Sequence, residues 1–198
     1  MAATISLHKG MEPQSIKEVY HRADQLQWEE VMKEEIQKLE KQDTWKAVRR
    51  PEGANIVGSK WVFHLKKDAN GAITSHRARL VVQEFSQIPG VDFDETFTLI
   101  TQMMLIRTVL ALAARHDWEI CQVDIKSAYL YGELEEHKVI YMKPPPSKIQ
   151  VCGDNEVLQL RKAIYGLKQS GRHWYQTLRG ILRKINFTRS EHNHRVFL

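Results

Sequence analysis

The 198-residue sequence has few cysteines and no long apolar run, and these absences exclude several classes of protein. Only two cysteines occur, Cys121 and Cys152, too few for a disulfide framework and without the paired spacing of a zinc site. The longest apolar run, 109–114, is far shorter than the roughly 20 residues that a membrane-spanning helix needs. The N-terminus also lacks the hydrophobic core of a signal peptide. The sequence therefore predicts an intracellular protein of the cytoplasm or nucleus, with no membrane partner.

Acidic residues are missing from one long stretch of the chain. Residues 159–190 contain eight lysines and arginines but no aspartate or glutamate, whereas acidic residues gather in 29–40 and 133–136. A segment charged with one sign favours a polyanionic partner such as nucleic acid. A solvated helix face would explain the same charges, so the pattern alone leaves both interpretations open.

Helices and strands alternate irregularly, which predicts the α+β class and not a regular βαβ fold. Residues 1–22 show no strong periodicity and are predicted to form a loose leader before a single domain, 23–198. In that domain, apolar residues at helical spacing predict helices and strict alternation predicts strands. The predicted helices are 24–42, 103–116 and 170–185, and the predicted strands are 45–48, 59–67, 72–82, 139–142 and 156–160. A further strand is expected to begin at 195–198.

Two of the predicted helices carry apolar residues on one face, which is typical of a helix packed on a core. We expect most of these side chains to be buried. They are Met104, Ile106, Val109, Leu110 and Ala113 in the first helix, and Trp174, Leu178, Ile181, Leu182 and Ile185 in the second.

The two middle strands, joined by a turn at 68–71, predict a β-hairpin with a basic face. Arg77 and Arg79 are two residues apart, so their side chains point to the same face of the strand. Together with Lys60 and Lys66 they would make that face basic. From the residues alone, an exposed strand face and an anion-binding face are equally good interpretations.

Asp124 is the strongest candidate for a metal ligand. It follows the β-prone run 118–123 and precedes a predicted helical turn, 126–130, which Gly132 is expected to end in the left-handed conformation. A carboxylate at the end of a buried strand is held rigidly and suits Mg²⁺, which takes one or two carboxylates besides water and phosphate. Considered by itself, Asp124 is better explained as a cap of the following turn.

Six short motifs occur in an order that identifies a family. They are Lys60-Trp61-Val62-Phe63, Arg77-Ala78-Arg79-Leu80-Val81, Phe93-Asp94-Glu95-Thr96-Phe97, Gln122 to Leu130 around Asp124, Ile140 to Pro145, and Tyr165-Gly166-Leu167-Lys168-Gln169-Ser170. With these motifs the chain resembles the reverse transcriptase of copia-type retrotransposons, from about Trp28 to Leu198.

The resemblance implies a fingers β-hairpin and an incomplete palm, an antiparallel sheet backed by helices. It also implies template-directed DNA synthesis by two-metal nucleotidyl transfer, with Mg²⁺ as cofactor and with an RNA or DNA template–primer and dNTP as partners. By the same resemblance Asp124 is the first catalytic metal ligand, and the backbone carbonyl of Ile125 helps to hold a metal. The ring of Tyr129 lies under the sugar and excludes a 2′-hydroxyl.

Further binding residues follow from the matched motifs. Arginine suits a triphosphate because its planar fork donates two hydrogen bonds to phosphate oxygens. The implied nucleotide-binding residues, besides Tyr129, are Arg77, Arg79, Gly166 and Gln169, and the implied nucleic-acid-binding residues are Lys60, Lys168 and Arg172.

The sequence departs from the family pattern in one main respect. Related polymerases take their remaining catalytic carboxylates from an Asp-Asp pair, and no such dipeptide occurs in these 198 residues. Gln83 and Glu84 also replace a usual Lys-Gly, and Gly171 replaces a usual proline. We therefore expect a domain truncated before the Asp-Asp hairpin and inactive alone. The alternative is a catalytically dead, nucleic-acid-binding remnant of a decayed element.

Overall fold

The computed structural model describes residues 11–94, 103–135 and 137–198, and its elements confirm the α+β class. The helices are α1 (Ile16–Val19), α2 (Gln25–Lys41), α3 (Met103–His116) and α4 (Ser170–Lys184). The strands are β1 (Trp45–Arg49), β2 (Ile56–Val57), β3 (Ser59–Lys67), β4 (Ile73–Val82), β5 (Tyr141–Met142) and β6 (Glu156–Leu160). Short 3₁₀ turns occupy Glu84–Ser86 and Ala128–Tyr131. None of the helices in the described ranges combines the length and apolar character that crossing a membrane requires.

The strands form two sheets. One is the predicted hairpin, in which β3 and β4 pair antiparallel. The other has four strands in the order β1-β6-β5-β2. Its β2 and β5 run parallel while the other pairs are antiparallel, so the sheet is mixed and the expectation of a purely antiparallel sheet is wrong.

The alternation along β3 and β4 separates a buried face from an exposed one. Trp61 pairs with Leu80 and Phe63 with Ala78, and all four side chains are buried on the inner face. The residues between them, including Arg77 and Arg79, lie on the outer face and are exposed. A period of two thus produces both an apolar core face and the predicted basic face from the same two strands.

Helix α2 covers the inner face of the hairpin. Its Trp28 is fully buried, and the indole ring lies edge-on to Phe63 at 5.2 Å and to His76 at 4.6 Å between ring centroids. Met32, one turn further along the helix, is also fully buried. Aromatic burial of this kind is a large apolar contribution to stability, and here it fixes the helix on the hairpin.

Part of the predicted leader, 1–22, lies in the described structure. Residues 11–22 contain α1, whose Val19 is fully buried; residues 1–10 lie outside the described residues. Asp24 stands at the N-cap of α2, but its side chain makes no capping bond. It accepts a hydrogen bond of 2.7 Å from Arg22 and lies 3.2 Å from His76. Partial burial raises the pKa of Asp24, but the two hydrogen bonds, the charge of Arg22 and a backbone hydrogen bond together outweigh burial, so the pKa is lowered.

The predicted strand before Asp124 is absent. Residues 118–124 carry no strand, and Trp118 is 59% and Val123 80% exposed. A strand needs a partner for its backbone hydrogen bonds, and within the described ranges no strand pairs with this segment. The turn that follows does form, but Gly132 has φ of −81° and not the left-handed conformation. Its lack of a Cβ matters instead because that atom would lie 2.9 Å from the Cβ of His173.

Both apolar helix faces are less buried than expected. In α3 only Ala113 is buried, and Met104 is 77% exposed. In α4 the buried residues are Ser170 and His173, whereas Ile181 and Ile185 are exposed. Helical periodicity orients side chains toward one face, but burial also needs a neighbouring element. Among the described residues, the N-terminal half of α4 packs on the 3₁₀ turn, with the Trp174 and Tyr131 ring centroids 6.4 Å apart, whereas most of α3 stays exposed.

Because Trp28 packs α2 on the hairpin, we expect its removal to destabilise the fold strongly. Trp28→Ala should lower the free energy of unfolding by about 3–5 kcal/mol, since a buried aromatic is replaced by a cavity. Chemical denaturation followed by circular dichroism measures the change. Trp118→Ala is the matched control because Trp118 is largely exposed, and it should shift the free energy by less than about 1 kcal/mol. Equal losses in both variants would contradict this account of the core.

Candidate functional site

A cavity of about 480 Å³ lies between α2, residues 76–79 of β4, the segment 124–127 and Tyr165. Four residues that the sequence nominated line it: Arg77, Arg79, Asp124 and Ile125. They come from two places about 45 residues apart in sequence. The fold therefore brings the predicted phosphate-binding arginines and the predicted metal ligand to one site.

Arg79 is held in the cavity wall by aromatic contacts. Its guanidinium carbon lies 5.2 Å from the centroid of the Tyr165 ring, a cation–π arrangement. Tyr129 packs edge-on against the same ring, with centroids 5.1 Å apart. Tyr129 itself does not line the cavity, so Tyr165 is the link between the predicted sugar-contacting residue and the arginine.

Asp124 lies in the cavity without the supporting strand that the sequence predicts before it. It is exposed and is held from its C-terminal side, where Ser127 adopts a left-handed φ of 56° and starts the 3₁₀ turn. Leu130 in that turn is fully buried, and its backbone N–H donates to the Ser127 carbonyl at 2.9 Å. A left-handed φ is uncommon outside glycine, and here it aims the preceding segment at the arginines.

The opposite wall of the cavity is acidic and comes from α2. Glu34 and Glu35 line it together with Lys38, whose ammonium lies 3.0 Å from the Oε2 atom of Glu35. Glu35 is buried, and its Oε1 atom has no hydrogen-bond partner among the described residues. Burial raises the pKa of Glu35, and the charges of Lys38 and Arg79 oppose that rise without cancelling it.

Gly166 is required by packing against β4. Its φ is +89°, and an added Cβ would lie 2.2 Å from the Val82 carbonyl oxygen. The neighbouring Tyr165 carbonyl accepts a 2.8 Å hydrogen bond from the Val82 N–H. Gly166 therefore packs closely against the end of β4, and this contact positions Tyr165 beside Arg79.

Gln169 belongs to a buried polar network. Its side-chain amide donates to the Asp92 carbonyl at 2.9 Å and accepts from Gln87 at 3.0 Å. The Asp92 carboxylate in turn accepts from Asn55 at 2.6 Å. Gln169 and Asp92 are both buried, so this network joins three loops and keeps Gln169 away from the cavity surface.

The three predicted nucleic-acid-binding residues lie in different surroundings. Lys60 is exposed on the outer face of the hairpin. The Lys168 ammonium lies 5.0 Å from the centre of the Phe93 ring. Arg172 donates to Glu135 at 3.3 Å and is half-buried. The cavity is therefore separate from all three in the described structure.

A second cluster of metal-type ligands lies elsewhere. Asp94, Glu135 and His137 bring three ligand atoms within 4.8 Å of one another. Cations already pair with its carboxylates: Lys138 lies 3.0 Å from Asp94 and Arg172 lies 3.3 Å from Glu135. These ion pairs account for the cluster without a metal, and it does not include Asp124.

The cavity residues that sequence reasoning missed include Tyr165, Glu35 and Lys38. Tyr165 lies in a motif that the sequence identified, yet its ring was given no role. Glu35 and Lys38 read as ordinary solvated charges of an amphipathic helix. Their spacing of three residues indicates a helical ion pair, but only the packing of α2 on β4 shows that the pair faces a cavity.

The approach of Gly166 to β4 predicts an asymmetric response to two glycine substitutions. Gly166→Ala should destabilise the chain by about 2 kcal/mol or more, because its φ is left-handed and the new Cβ meets backbone. Gly180→Ala in α4 meets no atom within 4 Å, and should stabilise the helix by about 0.5–1 kcal/mol. Thermal unfolding compares the two. A Gly166→Ala protein as stable as wild type would disprove the close approach.

Residues 42–198 match the family described as reverse transcriptase (RNA-dependent DNA polymerase). The chain is 41% identical over 180 residues to the Retrovirus-related Pol polyprotein from transposon TNT 1-94 of Nicotiana tabacum. The aligned region covers 90% of the chain and 13% of that protein. Similar polyproteins from the Arabidopsis thaliana transposons RE1 and RE2 are 38% and 37% identical over 172 residues, or 86% of the chain and 12% of each protein. The chain thus spans about an eighth of the length of these curated relatives. No solved structure matches it. The match over most of the chain and the identity to these polyproteins show that the chain belongs to the reverse transcriptase family of copia-type retrotransposons.

Proposed function

We propose that the cavity binds the triphosphate of an incoming deoxynucleotide, as part of a domain that copies an RNA or DNA template. One observation carries this proposal: Arg77 and Arg79 share a 480 Å³ cavity with Asp124. Two cations and a carboxylate in one cleft match the charges of a metal-bound triphosphate. Residues 23–198 would then be fingers and a partial palm, with the β3–β4 hairpin as the fingers.

Arg77 and Arg79 serve as the phosphate grip. Both project from the exposed face of β4 into the cavity, and guanidinium groups donate paired hydrogen bonds to phosphate oxygens. The Tyr165 ring supports Arg79 without neutralising it, because a cation–π contact leaves the N–H donors of the guanidinium available. We assign to Tyr129, which packs on Tyr165 outside the cavity lining, contact with the sugar and exclusion of a 2′-hydroxyl.

Asp124 and the backbone carbonyl of Ile125 are the groups that would hold Mg²⁺. Hard oxygen donors with open neighbouring positions suit Mg²⁺, which keeps water and takes phosphate oxygens as further ligands. A bound Mg²⁺ supplies positive charge next to the phosphates. Asp124 is exposed in the cavity, so its donor set fits one such ion.

Two-metal catalysis requires more carboxylates than the segment 124–127 offers. Two cations about 3.5–4 Å apart repel each other, and several carboxylates are needed to hold them. We assign Asp124 to such a centre and infer that the 198 residues alone, which contain no Asp-Asp pair, do not complete it.

Template–primer contacts are assigned to basic side chains outside the cavity. Lys60 is exposed on the outer face of the hairpin, and Arg183 is exposed on the acid-free helix α4. Lys168 lies on the loop that leads into α4. Such charges neutralise backbone phosphates, so binding should weaken steeply as salt is added.

The nucleotide site is tested by equilibrium binding of dATP with Mg²⁺ to the 198-residue chain. Arg79→Gln should weaken binding about tenfold or more, since charge-assisted hydrogen bonds are lost. Asp124→Asn should remove the gain from Mg²⁺ without weakening Mg²⁺-free binding, because a carboxylate that repels the bare anion is lost. Arg49→Gln and Asp154→Asn, exposed charges elsewhere, are the matched controls. Binding by Arg79→Gln equal to that of wild type would refute the phosphate grip.

The second candidate function is nucleic-acid binding without catalysis. It is favoured by the lack of an Asp-Asp pair and by the acid-free basic stretch 159–190. We expect the purified chain to bind a primer–template in a salt-dependent way but to add no nucleotide in a primer-extension assay with Mg²⁺. Nucleotide addition that Asp124→Asn abolishes would contradict this candidate and would show that the chain is catalytically complete.

A further inference from the structure

Helix α2 contributes a wall of the cavity although it precedes residue 42, where the match to the reverse transcriptase family begins. Its fully buried Trp28 and Met32 fix it on the hairpin. The helix therefore presents its cavity-facing charges, Glu35 and Lys38, at a defined position opposite the arginines of β4.

Lys38 is suited to bind an anion in this cavity. Its side chain is 40% exposed, and it lines the same cavity as Arg77 and Arg79. Its ammonium is bound to the carboxylate of Glu35 at 3.0 Å. A lysine ammonium on a flexible stem can turn from that carboxylate to a phosphate without movement of the helix.

Glu35 cannot turn in the same way. It is buried, and its charge is also close to Arg79. Its Oε1 atom has no partner among the described residues. A buried carboxylate fixed beside a phosphate-binding wall repels an anion and competes with it for the nearby cations.

We propose that Lys38 is a third cation of the anion-binding wall formed by Arg77 and Arg79, and that Glu35 restrains it in the absence of ligand. The ligand class is a nucleoside triphosphate, so this inference rests on the proposed function. Binding transfers Lys38 from the Glu35 carboxylate to a phosphate oxygen, and the cost of leaving Glu35 buried without that partner lowers the affinity.

The two residues of one ion pair should therefore have opposite effects on anion binding. Isothermal titration of the 198-residue chain with inorganic tripolyphosphate measures them. Lys38→Met should bind about threefold to fivefold more weakly, because one cation is lost from a half-open site. Glu35→Gln should bind about twofold to fivefold more tightly, because the restraint and the repulsion are removed while the size of the side chain is kept. This gain should shrink when Lys38→Met is added.

Two substitutions on the same helix serve as controls. Lys33→Met and Glu30→Gln remove the same charges at exposed positions outside the cavity wall, and they should leave the affinity unchanged. Thermal unfolding of each variant shows whether it is folded under the titration conditions. A change of sign between Lys38→Met and Glu35→Gln is a result that loss of stability does not produce.

The outcomes separate this inference from the function on which it rests. If wild type binds and Arg79→Gln does not, but both Lys38→Met and Glu35→Gln bind like wild type, the nucleotide site stands and the role of α2 is overturned. If Lys33→Met weakens binding as much as Lys38→Met, net charge explains the effect and the inference also fails. If wild type does not bind tripolyphosphate at all, both the phosphate grip and the third cation are refuted.

Discussion

The close contact between the loop at Gly166 and the end of β4 is the constraint on which the candidate site depends. The Val82 N–H donates to the Tyr165 carbonyl at 2.8 Å, and no side-chain atom fits between Gly166 and the Val82 carbonyl oxygen. This contact fixes the Tyr165 ring under Arg79 and beside Tyr129. Residues 79, 129 and 165 are far apart in sequence, so one backbone contact determines how three side chains meet.

Buried and exposed residues alternate along the hairpin, so its two faces contribute separately to the core and to the candidate site. On its inner face Trp61, Phe63 and Leu80 pack under α2, and on its outer face Arg77 and Arg79 remain exposed. A shift of register by one residue would bury the arginines and expose the aromatic residues, at a large cost in free energy. The core therefore holds the arginines on the cavity side, and the stability of the fold and the geometry of the site have the same origin.

Local patterns in the sequence predicted what depends on local geometry. The helix at 25–41 and the hairpin at 59–82 were found because their periodicities of 3.6 and 2 are properties of the elements themselves. The pairing of residues 118–124 and the burial of Met104 were predicted wrongly. Both require a partner element, and periodicity states which face is apolar without stating what covers it.

In the candidate site, too, local motifs predicted some residues, whereas the surroundings of others depend on tertiary packing. Arg77, Arg79 and Asp124 were nominated from motifs, and they do line one cavity. Gln169, also nominated from a motif, lies in a buried network because Asp92 and Gln87 bond both ends of its amide. Glu35 could not be found from sequence, because an acidic residue on an amphipathic helix is normally solvated. Its burial follows from how α2 lies on β4.

The charges of the cavity together indicate the kind of ligand that it suits. Four cations line it, Lys38, Arg77, Arg79 and Lys126, and three carboxylates face them, Glu34, Glu35 and Asp124. A wall of one sign would bind a bare polyanion tightly and would exclude a divalent cation. A cavity with both signs lowers its affinity for either alone and favours a ligand that carries both, such as a triphosphate with bound Mg²⁺. Selectivity for that complex would then come from Glu35 and Asp124 as much as from the arginines, because carboxylates penalise the metal-free anion.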